Sequence, residues 1–279
     1  MKRKSKLYLF LMIIIICSVI SGSILGVLAR KIRKQSTEIL NYNQSTNATQ
    51  LNILNGAGDI EVFYNNESKI KIIATLEVRS NSDMEQEIKR KQLVIIPKLQ
   101  NNILFVESTA KEDGTNYWTW LKKNLNADKT KINYKIYVPA SMKTVKIYNA
   151  IGNVTTAGVR ASLDIEVYAG NIKGYDLIPK DYVNVIVYAG NIQMHYRDIS
   201  NVKLLQSVLT VGNLTMKIPK KSEYILERSS DDLLPLKTKD VFSENNILKV
   251  KENLYAEKQF NKKKTTVIYS VGLGSVSID

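Results

Sequence analysis

The sequence predicts an all-β protein, a parallel β-solenoid-like (β-helix) domain of stacked short strands preceded by one transmembrane helix. Three observations carry the prediction. A glycine followed by Asn, Asp or Ser and then an aliphatic residue recurs along the chain, the segments around it alternate apolar and polar residues, and residues 7–29 form one long run without a charge.

Composition narrows the chemistry first. The 279 residues contain 40 Lys and Arg against 26 Asp and Glu, a formal charge of +14. Eight of those cations lie in the first 34 residues, which hold no acid, so 32 minus 26 leaves +6 for the remainder. Positive charge placed around a membrane segment is not a phosphate-binding surface, and nucleic acid is excluded as a partner. A single cysteine, Cys17, and a single histidine, His195, cannot assemble a zinc site, an iron-sulfur site or a disulfide framework, so no cofactor is expected. Only carboxylate chemistry survives.

In chain order, residues 1–6 read as a short cytoplasmic N-terminus and residues 7–29 as a retained transmembrane anchor, since a helix of 23 residues is about 35 Å long and spans a hydrocarbon core of about 30 Å. A cleaved signal peptide, with Val27 and Ala29 before the cut, is the alternative; Cys17 sits inside the run as a small helical residue. This places the protein at the cell membrane, single-pass, with the bulk of the chain extracytoplasmic. Residues 30–50, polar and rich in Asn, Gln, Ser and Thr, read as a linker. Residues 51–279 form the domain.

Within it the corners are Gly58 (with Asp59), Gly152-Asn153, Gly170-Asn171, Gly190-Asn191, Gly212-Asn213 and Gly274 (with Ser275). Residues 165–177 and 185–198 share VYAGNI at a spacing of 20, too short for a βαβ crossover and suited to one coil of a parallel stack. Glycine supplies the positive φ a sharp corner needs. An antiparallel sandwich has the same strand content and is the structural alternative. Strands are expected at 69–78, 93–97, 102–108 and 131–139, one helix at 83–92 capped by Ser82 or Asp83, and strands and loops that widen or cap the stack across 220–264.

The strand ending in Tyr137-Val138-Pro139, the early Gly58-Asp59-Ile60 copy, the insert of helix and strands and the successive strand-Gly-Asn-Ile units resemble the putative adhesin domain family of bacterial, mainly Gram-positive, cell-envelope proteins. The resemblance covers about residues 50–279. It implies a β-solenoid-like fold, a surface location and no catalytic site, and some members look like accessories of envelope-stress regulation.

Candidate surface-contact residues follow from strand parity. Glu166 marks the outward face of its strand, so Tyr168 points outward, and Tyr148, Tyr188 and Tyr269 are expected at equivalent places in one row that either packs as a ladder or stacks on sugar rings. Asn153, Asn171, Asn191 and Asn213 are expected to form an amide ladder. Trp118 and Trp120, beside Lys122 and Lys123, either grip a glycan or membrane interface or plug the core; His195 reads as a surface or groove residue. Asp164, Glu166, Asp176, Asp181 and Asp198 would have to converge in a groove for a β-helical polysaccharide lyase or hydrolase. The expected function is therefore non-catalytic: a membrane-anchored, adhesin-like scaffold binding cell-wall polymer, glycan or membrane-surface components. The alternative is an envelope-stress accessory contacting a membrane-protein partner.

Overall fold

The computed structural model describes residues 33–229 and 264–279. In chain order its first part comprises β1 (Arg33–Ser45), β2 (Gln50–Ala57), β3 (Ile60–Asn65), β4 (Lys69–Ser80), α1 (Asp83–Gln92), β5 (Leu93–Ile95), β6 (Lys98–Gln100), β7 (Ile103–Val106), β8 (Ser108–Ala110) and α2 (Tyr117–Asn124). The repeats follow as β9 (Thr130–Pro139), β10 (Thr144–Ile151), β11 (Val154–Ala157), β12 (Ser162–Ala169), β13 (Ile172–Leu177), β14 (Asp181–Ala189), β15 (Ile192–Tyr196), β16 (Val202–Val211) and β17 (Leu214–Lys217). The last are β18 (Tyr224–Arg228), β19 (Thr265–Leu273) and β20 (Val276–Ile278).

These strands form two nine-stranded sheets and one two-stranded sheet. The first sheet runs β1-β4-β9-β3-β11-β13-β15-β17-β20 and the second β18-β19-β16-β14-β12-β10-β2-β7-β6. Each Gly-Asn corner carries the chain from a strand of the second sheet into one of the first: β10 turns at Gly152 into β11, β12 at Gly170 into β13, and β14 at Gly190 into β15. Inward rows such as Val145, Leu163, Val183 and Leu205 of the second sheet meet Val154, Ile172, Ile192 and Leu214 of the first in one continuous core. A row of aliphatic side chains on stacked parallel strands buries each unit only against its neighbours, which is why no unit stands alone.

The expected β-solenoid is corrected here. The protein is all-β, but its two sheets are mixed, with β1, β4 and β9 pairing antiparallel at one end of the first and β6 pairing antiparallel with β7 in the second. The corners join the sheets along one side only. On the other side the chain returns through irregular segments such as 158–161, 178–180 and 197–201, so no further row of strands closes the coil. An antiparallel sandwich is also ruled out, because the repeat strands pair in parallel.

The anchor expected at 7–29 lies outside the described residues. Among the described residues no helix is long and apolar enough to cross a membrane, so the single-pass, extracytoplasmic localisation is withdrawn. Residues 33–45, expected within the polar linker, instead form β1, paired antiparallel with β4. An edge strand needs an apolar partner on only one face, and Ile39, Leu40 and Tyr42 provide it while Lys34 reaches Glu77 at 3.0 Å. Helix α1 starts at Ser82, whose hydroxyl accepts from the Glu85 N–H. The widening strands expected across 220–264 reduce, within the described part, to β18; residues 230–263 lie outside it.

Candidate functional site

The repeats lay their side chains on the two faces of the second sheet in alternation. Facing away from the first sheet, in register across strands, lie Lys146, Asp164, Asn184 and Gln206, then Tyr148, Glu166, Ile186 and Val208. Nearer the corners come Tyr168 and Tyr188, whose rings stand 5.1 Å apart at 35°. Tyr168 is 44% exposed, the most open aromatic side chain of this face. The Tyr188 hydroxyl donates to Glu166 Oε1 at 3.0 Å. Beside it Asn184 Nδ2 donates to Asp164 Oδ1 at 2.8 Å, with the Lys146 ammonium 3.9 Å from the same carboxylate.

Burial sets the electrostatics of this face. Partial desolvation pushes the Asp164 carboxyl above the usual carboxylate range, against the opposing pull of Asn184 and Lys146. Burial likewise raises the Tyr148 and Tyr188 hydroxyls, with the Glu166 carboxylate as the next cause in both. The Tyr148 and Tyr188 phenols therefore stay protonated donors at neutral pH. The surface offers aromatic faces, hydroxyl donors and carboxylate acceptors side by side.

The tyrosine row is narrower than the sequence suggests. Tyr148 shares the outer face but stands in register with Glu166, displaced from the Tyr168–Tyr188 pair along the strand. Tyr269 stands in register with Ser207 on the inward parity and packs against the core. Of the two roles expected for Trp118 and Trp120, the structure places both side chains in packing. At 5% and 4% exposure they are interior. They lie on α2, and Asn116 caps it by accepting from the Trp118 and Thr119 N–H groups. Trp118 lies flat on the second sheet over Gly56, where any side chain would overlap its indole. Trp120 Nε1 donates to Glu112 Oε2 at 3.0 Å and stacks near Tyr117, whose hydroxyl donates to the Lys89 carbonyl at 2.8 Å.

The corner residues occupy one line. Gly58, Gly152, Gly170, Gly190, Gly212 and Gly274 all have φ between +129° and +152°. Asp59, Asn153, Asn171, Asn191 and Asn213 form a ladder in which each side-chain oxygen accepts the next backbone N–H: Asn171 N to Asn153 at 3.1 Å, Asn191 N to Asn171 at 3.0 Å, Asn213 N to Asn191 at 3.0 Å. Asp59 accepts from both Asn153 N and Nδ2, and Ser275 donates to Asn213 at the far end. Every amide is engaged along the stack.

The carboxylates weighed for catalysis do not converge. Asp164 and Glu166 lie on the open sheet face. Asp181 and Asp198 line a polar groove of about 940 Å³ at the opposite strand ends, where Lys203 pairs with Asp181 at 3.2 Å. Asp176 sits apart, at a positive φ where the register of β13 shifts between Gly174 and Leu177, and His195 meets the Tyr175 ring edge-on with Gln193 Nε2 at 3.2 Å. Among the described residues no group of three His, Cys, Asp or Glu side chains is placed to hold a metal ion.

No family model and no curated protein matches the chain. Among solved structures it is similar to a "putative cell adhesion protein" of Clostridium sporogenes, at 14% identity and a TM-score of 0.39 over 89% of this chain and 99% of that one. A "putative adhesin" of Bacteroides fragilis gives 11%, 0.37, 88% and 97%, and a "Putative lipid binding protein" of Parabacteroides distasonis gives 9%, 0.27, 88% and 97%. Similarity at these scores carries no inference about this chain, and names drawn from these organisms give no support to a restriction to Gram-positive bacteria.

Proposed function

We propose that the protein is a non-catalytic binding scaffold whose contact surface is the outer face of the second sheet around Tyr168 and Tyr188, and that the partner is a glycan or a similar surface polymer. The reading is supported by one observation above the rest: the Tyr168–Tyr188 ring pair, with Tyr168 open and Glu166 accepting from Tyr188 beside it. Aromatic faces take the apolar faces of sugar rings, while the adjoining hydroxyls and carboxylates take sugar hydroxyls. Parallel stacking fixes their spacing without a ligand. The dispersal of Asp164, Glu166, Asp176, Asp181 and Asp198 supports binding over hydrolysis, because glycosidic cleavage needs two carboxyl groups flanking one bond.

The test is retention of the full chain on insoluble glycans and purified cell-wall polymer, compared with a Tyr168→Ser/Tyr188→Ser variant of unchanged circular dichroism and melting midpoint. Weaker retention of the folded variant on at least one polymer is expected. Equal retention of the two proteins would reduce the ring pair to packing.

A further inference from the structure

We propose that the outer face of the first sheet is a second binding surface, separate from the Tyr168–Tyr188 face, and that it takes an acidic polysaccharide laid across the strands. Register supplies the first argument. Lys71, Tyr137, Phe63 and Ala157 stand side by side on β4, β9, β3 and β11. The row continues with Tyr175, in register with Ala157, then His195 against its ring, then Lys217 beside His195. These positions alternate with the buried Ile136, Val62, Met194 and Met216, so their side chains turn away from the core. At about 4.8 Å per strand the row is about 29 Å long, with a lysine at each end. Phe63 stacks on Tyr137 at 5.5 Å, and Tyr175 meets His195 at 5.8 Å. Ala157 parts the two pairs, leaving Phe63 and Tyr175 two strand spacings apart, about 10 Å. Next to Ala157 the floor is Thr155, between Glu61 and Lys173, where a cavity of about 250 Å³ opens. The short side chains of β11 thus make a trough that seats one sugar ring between Phe63 and Tyr175.

Charge supplies the second argument. Within this row and the one beside it, Lys71, Lys135, Lys173 and Lys217 stand against a single carboxylate, Glu61. Among the described residues none of these lysines is held in an ion pair, whereas Lys146 and Lys203 of the second sheet are engaged by Asp164 and Asp181. The Lys135 ammonium instead lies over the rings of Phe63 and Tyr137, at 5.5 and 5.8 Å from their centroids. Ring faces take the C–H faces of sugars, and free ammonium groups between them take carboxylates or sulfates carried on the same chain. A neutral glycan leaves the lysines unused, and a polyanion without rings leaves the aromatic row unused. Single-stranded nucleic acid engages both, but a phosphate on every unit asks for more cations than this face carries. The Tyr168–Tyr188 face lies across the core on the other sheet, so this inference does not rest on it.

The test uses the full chain with fluorescein-labelled oligomers of polygalacturonate and of hyaluronate, read by anisotropy. At least one should bind at about 0.05 M salt and weaken toward about 0.5 M as the lysines are screened. Phe63→Ser/Tyr175→Ser leaves the charge unchanged and should weaken binding at least about fivefold, the scale of lost ring contacts. Lys135→Gln/Lys173→Gln should weaken it at low salt and flatten the salt dependence. Tyr168→Ser/Tyr188→Ser should leave it unchanged, which separates this surface from the one on the second sheet. The proposal is overturned if neither oligomer binds at low salt, if the folded ring variant binds like the parent, or if only the Tyr168→Ser/Tyr188→Ser protein loses binding. Polyglutamate or a single-stranded DNA oligomer bound as tightly as the sugars also overturns it, by assigning the face to charge alone or to nucleic acid. Should Phe63→Ser/Tyr175→Ser fail to fold, Tyr175→Ser alone, at a ring that is 37% exposed, takes its place in the same comparison.

Discussion

The carbonyl oxygen of Gly170 occupies the space that a Cβ at Gly190 would need. The same overlap recurs between the oxygen of Gly190 and Gly212 and between that of Gly212 and Gly274. The obstacle is backbone on a stacked neighbour, and a backbone held on both sides by the sheet cannot turn aside as a side-chain tip can.

Gly190→Ala should therefore destabilise by about 3 kcal/mol or more, combining about 1–3 kcal/mol of strain at a φ of +148° with the overlap. Gly114 is the internal comparison: its φ is +69° but nothing lies within 4 Å of an added Cβ, so Gly114→Ala should cost only about 1 kcal/mol. Denaturant midpoints of the two variants measure the difference, and equal midpoints would show that stacking does not constrain the corner.

Lys89 is fully buried and is held by Glu85 at 2.7 Å and by the Thr130 hydroxyl at 3.0 Å. The Lys89 ammonium, with the Ser80 hydroxyl second, holds the Glu85 carboxyl below its ordinary range. A depressed folded-state pKa stabilises the protein above the unfolded value of about 4.5, and the contribution is lost as pH falls through the lower folded value. Glu85→Gln should cost about 1–3 kcal/mol at neutral pH, less than for a fully enclosed pair because Glu85 retains contact with solvent. The same variant should flatten the stability profile below pH 5, read by denaturant melts across pH.

Asp164 is expected to show the opposite sign. Its raised folded-state pKa means that the folded protein holds the proton more tightly than the unfolded chain, so this carboxyl penalises folding above its folded pKa. The penalty is relieved as pH falls through that value toward the unfolded 3.8. Asp164→Asn keeps an oxygen for the Asn184 amide and removes the charge. It should raise the melting midpoint at pH 7 and leave it nearly unchanged at pH 3, and a lowered midpoint at pH 7 would show that Lys146 outweighs desolvation.

The residues that were legible in the sequence and those that were not differ in a physical way. Corners announce themselves, because steric exclusion leaves glycine alone at 152, 170, 190 and 212. Register across the stack was readable too, by counting back from each glycine. Tyr168 and Tyr188 stand two residues before theirs and Tyr148 four, on the same parity but displaced, whereas Tyr269 stands five before Gly274 and so turns inward. Strand β1 and helix α2 escaped for another reason: an edge strand needs few apolar residues, and the helical character of 117–124 rests on the Asn116 cap and on burial by parts of the chain distant in sequence. The absence of strands closing each coil lay in the short irregular returns, which carry no periodic signal.

Trp118 gives an optical report on the fit of α2 against the sheet. An added methyl at Gly56 falls within its indole ring, so Gly56→Ala must displace the side chain from a site where it is 5% exposed. Overpacking of this kind costs about 1–3 kcal/mol. The emission maximum should move to longer wavelength, and the shift should persist in a Trp120→Phe background, which isolates Trp118 as its source.

Tyr168 and Tyr269 separate contact from packing. Tyr168→Ser removes one ring of an exposed pair and should cost about 1 kcal/mol or less, the scale of a cross-strand side-chain pair. Tyr269→Ser removes a ring packed against the core beside the fully buried Ser207 and should cost about 1–3 kcal/mol, reduced from full core truncation because the side chain is half-buried. On the proposed binding face the order reverses: glycan retention should weaken with Tyr168→Ser and hold with Tyr269→Ser at temperatures where both proteins are folded. Two measurements on the same pair of variants, a denaturant midpoint and retention on polymer, would thus move in opposite order. Retention that follows stability instead, falling most for Tyr269→Ser, would mean that the outer rings serve the fold and that any contact surface lies elsewhere on the protein.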